Sequence, residues 1–317
     1  MLHSSKSRVK PSKHRPTNTA VRRHYAFDAI GTRWRVDINQ PLAAEASTAL
    51  LRAIKQRIDT FDQIYSRFRA DSLVTKVSKK AGTYILPDDA RAMFDLYRQL
   101  YEVTKGAVTP LIGSVLADAG YDATYSLVPK AMHPAPSWEE AMQYNAPILT
   151  TKLPVLLDFG AAGKGYLVDI IGDIIARAGV DSYCIDAGGD ISCRSISGTA
   201  QSIGLEHPKD PSLAIGVARI TNQSLCGSAG NRRVWADYHH IINPATGQSP
   251  KHIAAVWVAA DSALLADGLT TALFFVEPQV LQARHTFDYA IVYADLSLKR
   301  SKNFPAEFFT QQEAVHA

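Results

Sequence analysis

The sequence predicts an α+β protein with a mixed or antiparallel sheet core and packed helices. Three observations carry that expectation. Amphipathic stretches of helical period alternate with short apolar runs of strand length. The strand-like runs follow one another without regular helical crossovers, which disfavours a doubly wound parallel sheet. No pattern recurs at a fixed period, so repeat architectures are excluded.

The elements follow in chain order. Residues 33–38 alternate, with Trp34, Val36 and Ile38 on one face, and read as a strand. From 43 to 68, Leu51, Ile54, Ile58, Phe61, Tyr65 and Phe68 recur at three- and four-residue spacing, a long amphipathic helix. A second helix is expected over 88–104, with Met93, Leu96, Leu100 and Val103 inward and Gly106 ending it. Residues 120–150, with four prolines, read as a loop-rich connection with at most short helices. Residues 155–158 read as a short strand, followed by a glycine-rich turn and a helix ending at Gly179. Strands are expected at 183–186, near 202–206, at 213–220 and at 253–260. A helix capped by Asp261 or Ser262 should run to about 276, and 289–293 should be the last strand.

Composition narrows the class. Of 317 residues, 46% are hydrophobic and 20% charged, the balance of a globular chain. The longest apolar run, 263–276, is interrupted by Asp267 and Thr271. It falls short of the ~20 residues a membrane helix needs, so no membrane span is expected. The net charge of +4 is unevenly spread. Residues 1–27 hold seven basic side chains and no acid, which leaves the remainder slightly acidic. A basic arm suits nucleic acid or an anionic membrane. A solvated tail explains it more simply, and no nucleic-acid partner is expected. The expected organisation is a disordered basic tail over 1–26, one domain over 27–300, and a C-terminal segment over 301–317 of open order. The tail has neither the apolar centre nor the cleavage site of a secretory signal, and the reading places the protein in the cytoplasm. Cys184, Cys193 and Cys226, odd in number and widely spaced, fit neither a disulfide framework nor a zinc site.

Three segments could carry chemistry. Asp158 to Gly165 is neither a P-loop nor a dinucleotide fingerprint, because its glycines are wrongly spaced. It is a turn of small residues entering a helix that carries Lys164, which suits a phosphate or equally a tight packing turn. Asp267 and Thr271, four residues apart, share a helix face. A buried carboxylate needs a partner. With a hydroxyl beside it, it forms a hard-oxygen pair suited to Mg²⁺, or else it pairs with an arginine. His240 lies at a strand end before an Asn-Pro turn, where a general base or a structural histidine would both fit.

Taken in order, these segments resemble the FAD:protein FMN transferase (ApbE) family. Phe27-Asp28-Ala29-Ile30-Gly31-Thr32 resembles its Met-Gly-Thr opening, and Phe61-Asp62 with Ser66 to Ser72 its next block. Gly106 to Pro110 with Gly113 is similar to its Gly-x-Phe-Asp-Pro-x-x-Gly segment. Asp158 to Asp169 is similar to the central motif, followed by Ala187-Gly188-Gly189-Asp190-Ile191. His240-Ile241-Ile242-Asn243-Pro244-x-Thr246-Gly247 and Ala266 to Ala272 complete the set. The resemblance implies an ApbE-like α+β fold that uses FAD and Mg²⁺ to move FMN onto a Thr or Ser hydroxyl of an acceptor flavoprotein, releasing AMP. By position, the metal ligands would be the Ala161 carbonyl, Asp267 and Thr271. FAD contacts would come from Ile30, Phe68, Ala107, Val108, Thr109, Asp158, Lys164 and Ile241, with His240 as the base. The sequence departs from the pattern at Ile30 (usually Met), Ser78 (Asn), Thr109 (Asp), Asn243 (Asp) and Ser228 to Asn231 (Ser-Gly-x-Tyr). Two other activities share this site: hydrolysis of FAD to FMN and AMP, and flavin binding without catalysis.

Overall fold

Along the strand Tyr183–Ala187, successive side chains go to opposite faces of one sheet. Tyr183, Ile185 and Ala187 join the core beneath the helices, while Cys184 joins a second core on the other side. The same division holds on Ile253–Ala260, where Val256 and Val258 face the helices and Ala259 the second core. Both faces are therefore covered, which explains strands that read as nearly continuous apolar runs.

The structure is a computed structural model and describes residues 21–309. Its main sheet has eight strands in the order Val21–Ala29, Thr32–Leu42, Tyr183–Ala187, Asp190–Arg194, Gln223–Ala229, Ile253–Ala260, Asp288–Tyr293 and Leu298–Arg300. Every neighbouring pair is antiparallel. One face carries the long helix Ala44–Tyr65, the helix Ala90–Val103, the central helix Gly163–Arg177 and the crossing helix Ala263–Ala272. The other face is covered by a three-stranded sheet of Gln201–His207, Asp210–Ile220 and Ala306–Phe308. A further small sheet joins Gly82–Ile85, Ile148–Thr151 and Met142–Asn145. The α+β, antiparallel expectation holds.

Several details differ. The expected tail over 1–26 lies outside the described residues only as far as 20, and 21–26 form part of the first strand. Over 22–26 the side chains alternate between exposed and half-buried, and the Tyr25 hydroxyl meets Ser47 Oγ at 2.7 Å. The charge of Arg22 and Arg23 masked that alternation. At the other end, 306–308 pair with Asp210–Ile220, so 289–293 is not the last strand. The long helix buries Leu50 rather than Leu51 and ends at Tyr65. Residues 155–158 join no strand, and the proline-rich stretch holds two short strands besides the helix Trp138–Ala141. The strands Asp190–Arg194 and Gln223–Ala229 went unread, because serine, glycine and aspartate thin their apolar signal. Cys184 and Cys193 stand opposite each other across the Gly188-Gly189 turn and form a disulfide, against the sequence expectation. Their nine-residue separation hides a register that only the hairpin creates.

Candidate functional site

The central and crossing helices touch at Gly165. A Cβ there would stand 2.2 Å from the Ala263 carbonyl oxygen and 2.6 Å from the Asp267 Cβ. Glycine alone permits that approach. It lets the Gly165 N–H donate to Asp267 Oδ2 at 2.9 Å, so the carboxylate lies at the amino end of the central helix, where free amides favour an anion. Asp267 is 4% exposed. Burial raises its carboxyl pKa, with Lys164 and the Gly165 amide opposing the rise. No arginine pairs with it among the described residues. Thr271, one turn further on, is partly exposed, and its hydroxyl has no hydrogen-bond partner among the described residues. Thr270 faces inward, donating to the Asp267 carbonyl at 2.7 Å and meeting Ser228 Oγ at 2.8 Å.

Two devices fix the crossing helix. Ser262 Oγ accepts the Leu265 N–H at 3.2 Å, the expected cap. Asp169 of the central helix accepts the Ala263 and Leu264 amides, each at 2.8 Å. Burial pushes the Asp169 carboxyl up to about 6 against those two amide bonds.

The glycine-rich turn is held from below. Asp158 Oδ1 accepts the Gly160 N–H at 2.7 Å, Oδ2 pairs with Arg67 Nε, and the Asp158 N–H reaches the Pro110 carbonyl at 2.8 Å. The Ala161 N–H donates to the Tyr97 hydroxyl at 3.2 Å, and the Ala161 carbonyl accepts no backbone hydrogen bond among the described residues. Burial, with the charges of Asp158 and Asp267, raises the Tyr97 phenol well above its ordinary pKa. Lys164 forms an ion pair with Asp190, whose side chain is fully buried.

Ala107, Val108 and Thr109 follow Gly106, whose φ of +86° needs glycine. Val108 donates its amide to Thr104 Oγ1 at 3.0 Å, and Thr109 Oγ1 accepts the Leu111 N–H at 3.2 Å. The threonine in the usual Asp position thus serves as a cap. Phe68 stacks on Tyr125 at 4.9 Å and 11°, with Tyr121 edge-on at 5.4 Å. Ile241 is buried in the main core. Ile30 forms the hairpin turn with Gly31 at a φ of +48°, an unfavourable conformation for a β-branched side chain. It makes no hydrogen bond or ring contact to the other candidates. His240 Nδ1 meets the Arg232 carbonyl at 3.0 Å, which requires the proton on Nδ1 and leaves Nε2 as the acceptor. Burial, aided by Arg233 and Lys164, pushes its pKa down to about 4. Two departures prove locally satisfied. Asn243 Oδ1 accepts the Ala245 and Thr246 amides, as Asp would, and the Ser78 hydroxyl donates to the Thr75 carbonyl.

The structure therefore sets Asp158, Ala161 and Lys164 on one glycine-rich turn, which Asp267 meets through the Gly165 amide, with Thr271 one turn along the same helix; Ile30 packs against the main core without a polar contact to them. Sequence reasoning missed Arg67, Tyr97, Asp169 and Asp190 as its supports. Asp169 and Asp190 lie in segments already singled out, whereas nothing in the local sequence marks Tyr97, which is one of several inward residues of its helix.

The fold is that of an α+β protein: an antiparallel sheet covered on both faces, with a buried carboxylate at the junction of two helices beside a glycine-rich turn that carries Lys164. The chain matches the ApbE family over residues 30–288 and belongs to that family. It is similar to the FAD:protein FMN transferase of Vibrio cholerae, with 23% identity over 268 residues, covering 79% of this chain and 80% of that protein. The protein of the same name from Treponema pallidum is 27% identical over 279 residues, covering 77% and 76%. Among solved structures, the ApbE protein of Thermotoga maritima matches with a TM-score of 0.78 at 21% identity, covering 90% of this chain and all of that one. The flavin transferase ApbE of Vibrio cholerae matches at 0.75 and 21% identity, covering 90% and 98%.

Proposed function

We propose that this chain transfers FMN from FAD to a Thr or Ser hydroxyl of an acceptor flavoprotein, releasing AMP, with Mg²⁺ as cofactor. The observation that carries the proposal is the Gly165–Asp267 bond, which brings a lone buried carboxylate against a glycine-rich turn. Asp267, Thr271 and the Ala161 carbonyl form an all-oxygen donor set, the chemistry Mg²⁺ prefers. Bound there, the ion would neutralise charge on the pyrophosphate oxygens. Lys164 supplies a second positive group, oriented by Asp190.

In the transfer, the acceptor hydroxyl oxygen forms a bond to the FMN phosphorus. The phosphorus–oxygen bond to the AMP half breaks, AMP leaves with that electron pair, and the hydroxyl proton passes to His240 Nε2. His240 is neutral at pH 7 and so ready to accept it. An anionic substrate beside the ring favours the protonated form and raises its basicity.

The family relation and the names of the relatives support this reading over hydrolysis or simple binding. No helix among the described residues is long and apolar enough to cross a membrane. We place the chain in the cytoplasm. Incubation with FAD, Mg²⁺ and a candidate acceptor domain tests the proposal. Transfer leaves the acceptor heavier by one FMN after denaturation, with an equal amount of AMP. AMP and free FMN without acceptor would show a hydrolase instead, and binding without AMP a carrier.

A further inference from the structure

Arg67 is the most anomalous charged group outside the set described above. Its side chain is 2% exposed, and only Nε has a partner, the Asp158 carboxylate. Both η nitrogens are buried without any hydrogen bond. A buried guanidinium with unused N–H groups is costly. Two aromatic rings offset part of that cost: the guanidinium carbon lies 4.2 Å from the Phe68 centroid and 4.8 Å from that of Tyr121.

Tyr121 also carries a second cation. Arg233 lies over the same ring at 5.9 Å, is exposed, and pairs with no carboxylate among the described residues. Its charge, with that of Lys164, is felt at His240. Arg67, Tyr121 and Arg233 thus form a short cationic wall running from Asp158 towards His240. The centre itself is short of positive charge, since Asp158, Asp190 and Asp267 outnumber Lys164 and Arg67. An anionic ligand entering it needs donors from elsewhere, and a guanidinium fork matches phosphate oxygens.

We propose that Arg67 and Arg233 form a phosphate seat across Tyr121, the η nitrogens of Arg67 being a fixed donor pair and Arg233 a mobile arm, for the pyrophosphate of the bound dinucleotide. The assignment of that ligand rests on the flavin-transfer reading. Arg67 is thereby a ligand-contacting residue as well as the anchor of Asp158.

Equilibrium binding without divalent metal or acceptor, at low salt, tests the seat with three probes. FAD carries both ring and pyrophosphate, riboflavin only the ring, and ADP only the pyrophosphate. Arg233→Gln and Arg67→Lys are the variants. The lysine keeps the charge and the Asp158 pair but lacks the fork, and its thermal unfolding is compared with that of the wild type. Each variant should weaken FAD and ADP about tenfold and change riboflavin less than twofold. Equal losses for riboflavin would mean that the arginines only shape the pocket, and unchanged FAD and ADP binding would remove the seat altogether. Failure of the flavin reading looks different. Wild-type protein would then bind neither FAD nor riboflavin, while ADP and its dependence on the two arginines would still decide the seat.

Discussion

The two sides of the candidate site are built differently. One side is the junction of two helices, where Gly165, Asp169, Ser262 and Asp267 are locked by buried hydrogen bonds. The other side is loop and hairpin, where Tyr125 and Arg233 are exposed and both adopt positive φ. The first can hold a small ion in fixed geometry, because a shift of either helix would overlap packed atoms. The second can adjust to a large ligand and to an acceptor. Geometry for the reacting centre thus sits on rigid elements, and recognition sits on movable ones.

Variants on the rigid side should have the larger effects. Asp267→Ala should reduce AMP release by at least about a thousandfold, since it removes the only carboxylate of the donor set. Turnover near the wild-type rate would place the metal elsewhere. Gly165→Ala forces a methyl group into 2.2 Å contact with the Ala263 carbonyl. Overpacking of this kind costs about 2–3 kcal/mol, and calorimetry should show a fall in Tm of roughly 3–5 °C. An unchanged Tm would mean that the helices part easily and that the junction is not rigid.

His240 belongs to the boundary between the two sides. His240→Gln should slow transfer by about a hundredfold or more with FAD affinity nearly unchanged, and equal rates would retire it as base. Its pKa is pushed down to about 4 from 6.5. The unfolded chain therefore takes up the proton first, and this group's contribution to stability is lost as pH falls from about 6.5 towards 4. His240 should therefore add no acid limb to kcat/KM near pH 6.5; a limb at 6.5 that disappears in His240→Gln would show an exposed, unshifted imidazole. The smallest effect is expected on the movable side. Tyr125→Ala removes a ring already stacked on Phe68, so a planar ligand no longer has to displace it, and flavin affinity should rise about threefold. A loss of affinity would make Tyr125 part of the binding surface.

The rigid side was the more legible in the sequence. Asp267 and Thr271 stood out as polar residues in an apolar helix, and the turn before Lys164 as a run of small residues. Physical necessity leaves such marks: a buried carboxylate and a close helix contact each restrict residue choice. The movable side left few marks, because its contacts join distant segments. Arg67 meets Asp158 across 91 positions, and Tyr121 meets Trp235 across more than a hundred. The edges of the fold were misread for a related reason. Strands Val21–Ala29 and Ala306–Phe308 are defined by pairing partners rather than by apolar content.

The central claim is that the crossing helix and the glycine-rich turn hold one divalent ion. Titration with Mn²⁺ in the presence of FAD, read by electron paramagnetic resonance, tests it without relying on turnover. The account predicts one tight ion per wild-type chain, weaker binding in Thr271→Val and none in Asp267→Ala. An Asp267→Ala protein that still folds and binds one Mn²⁺ as tightly as the wild type would contradict it.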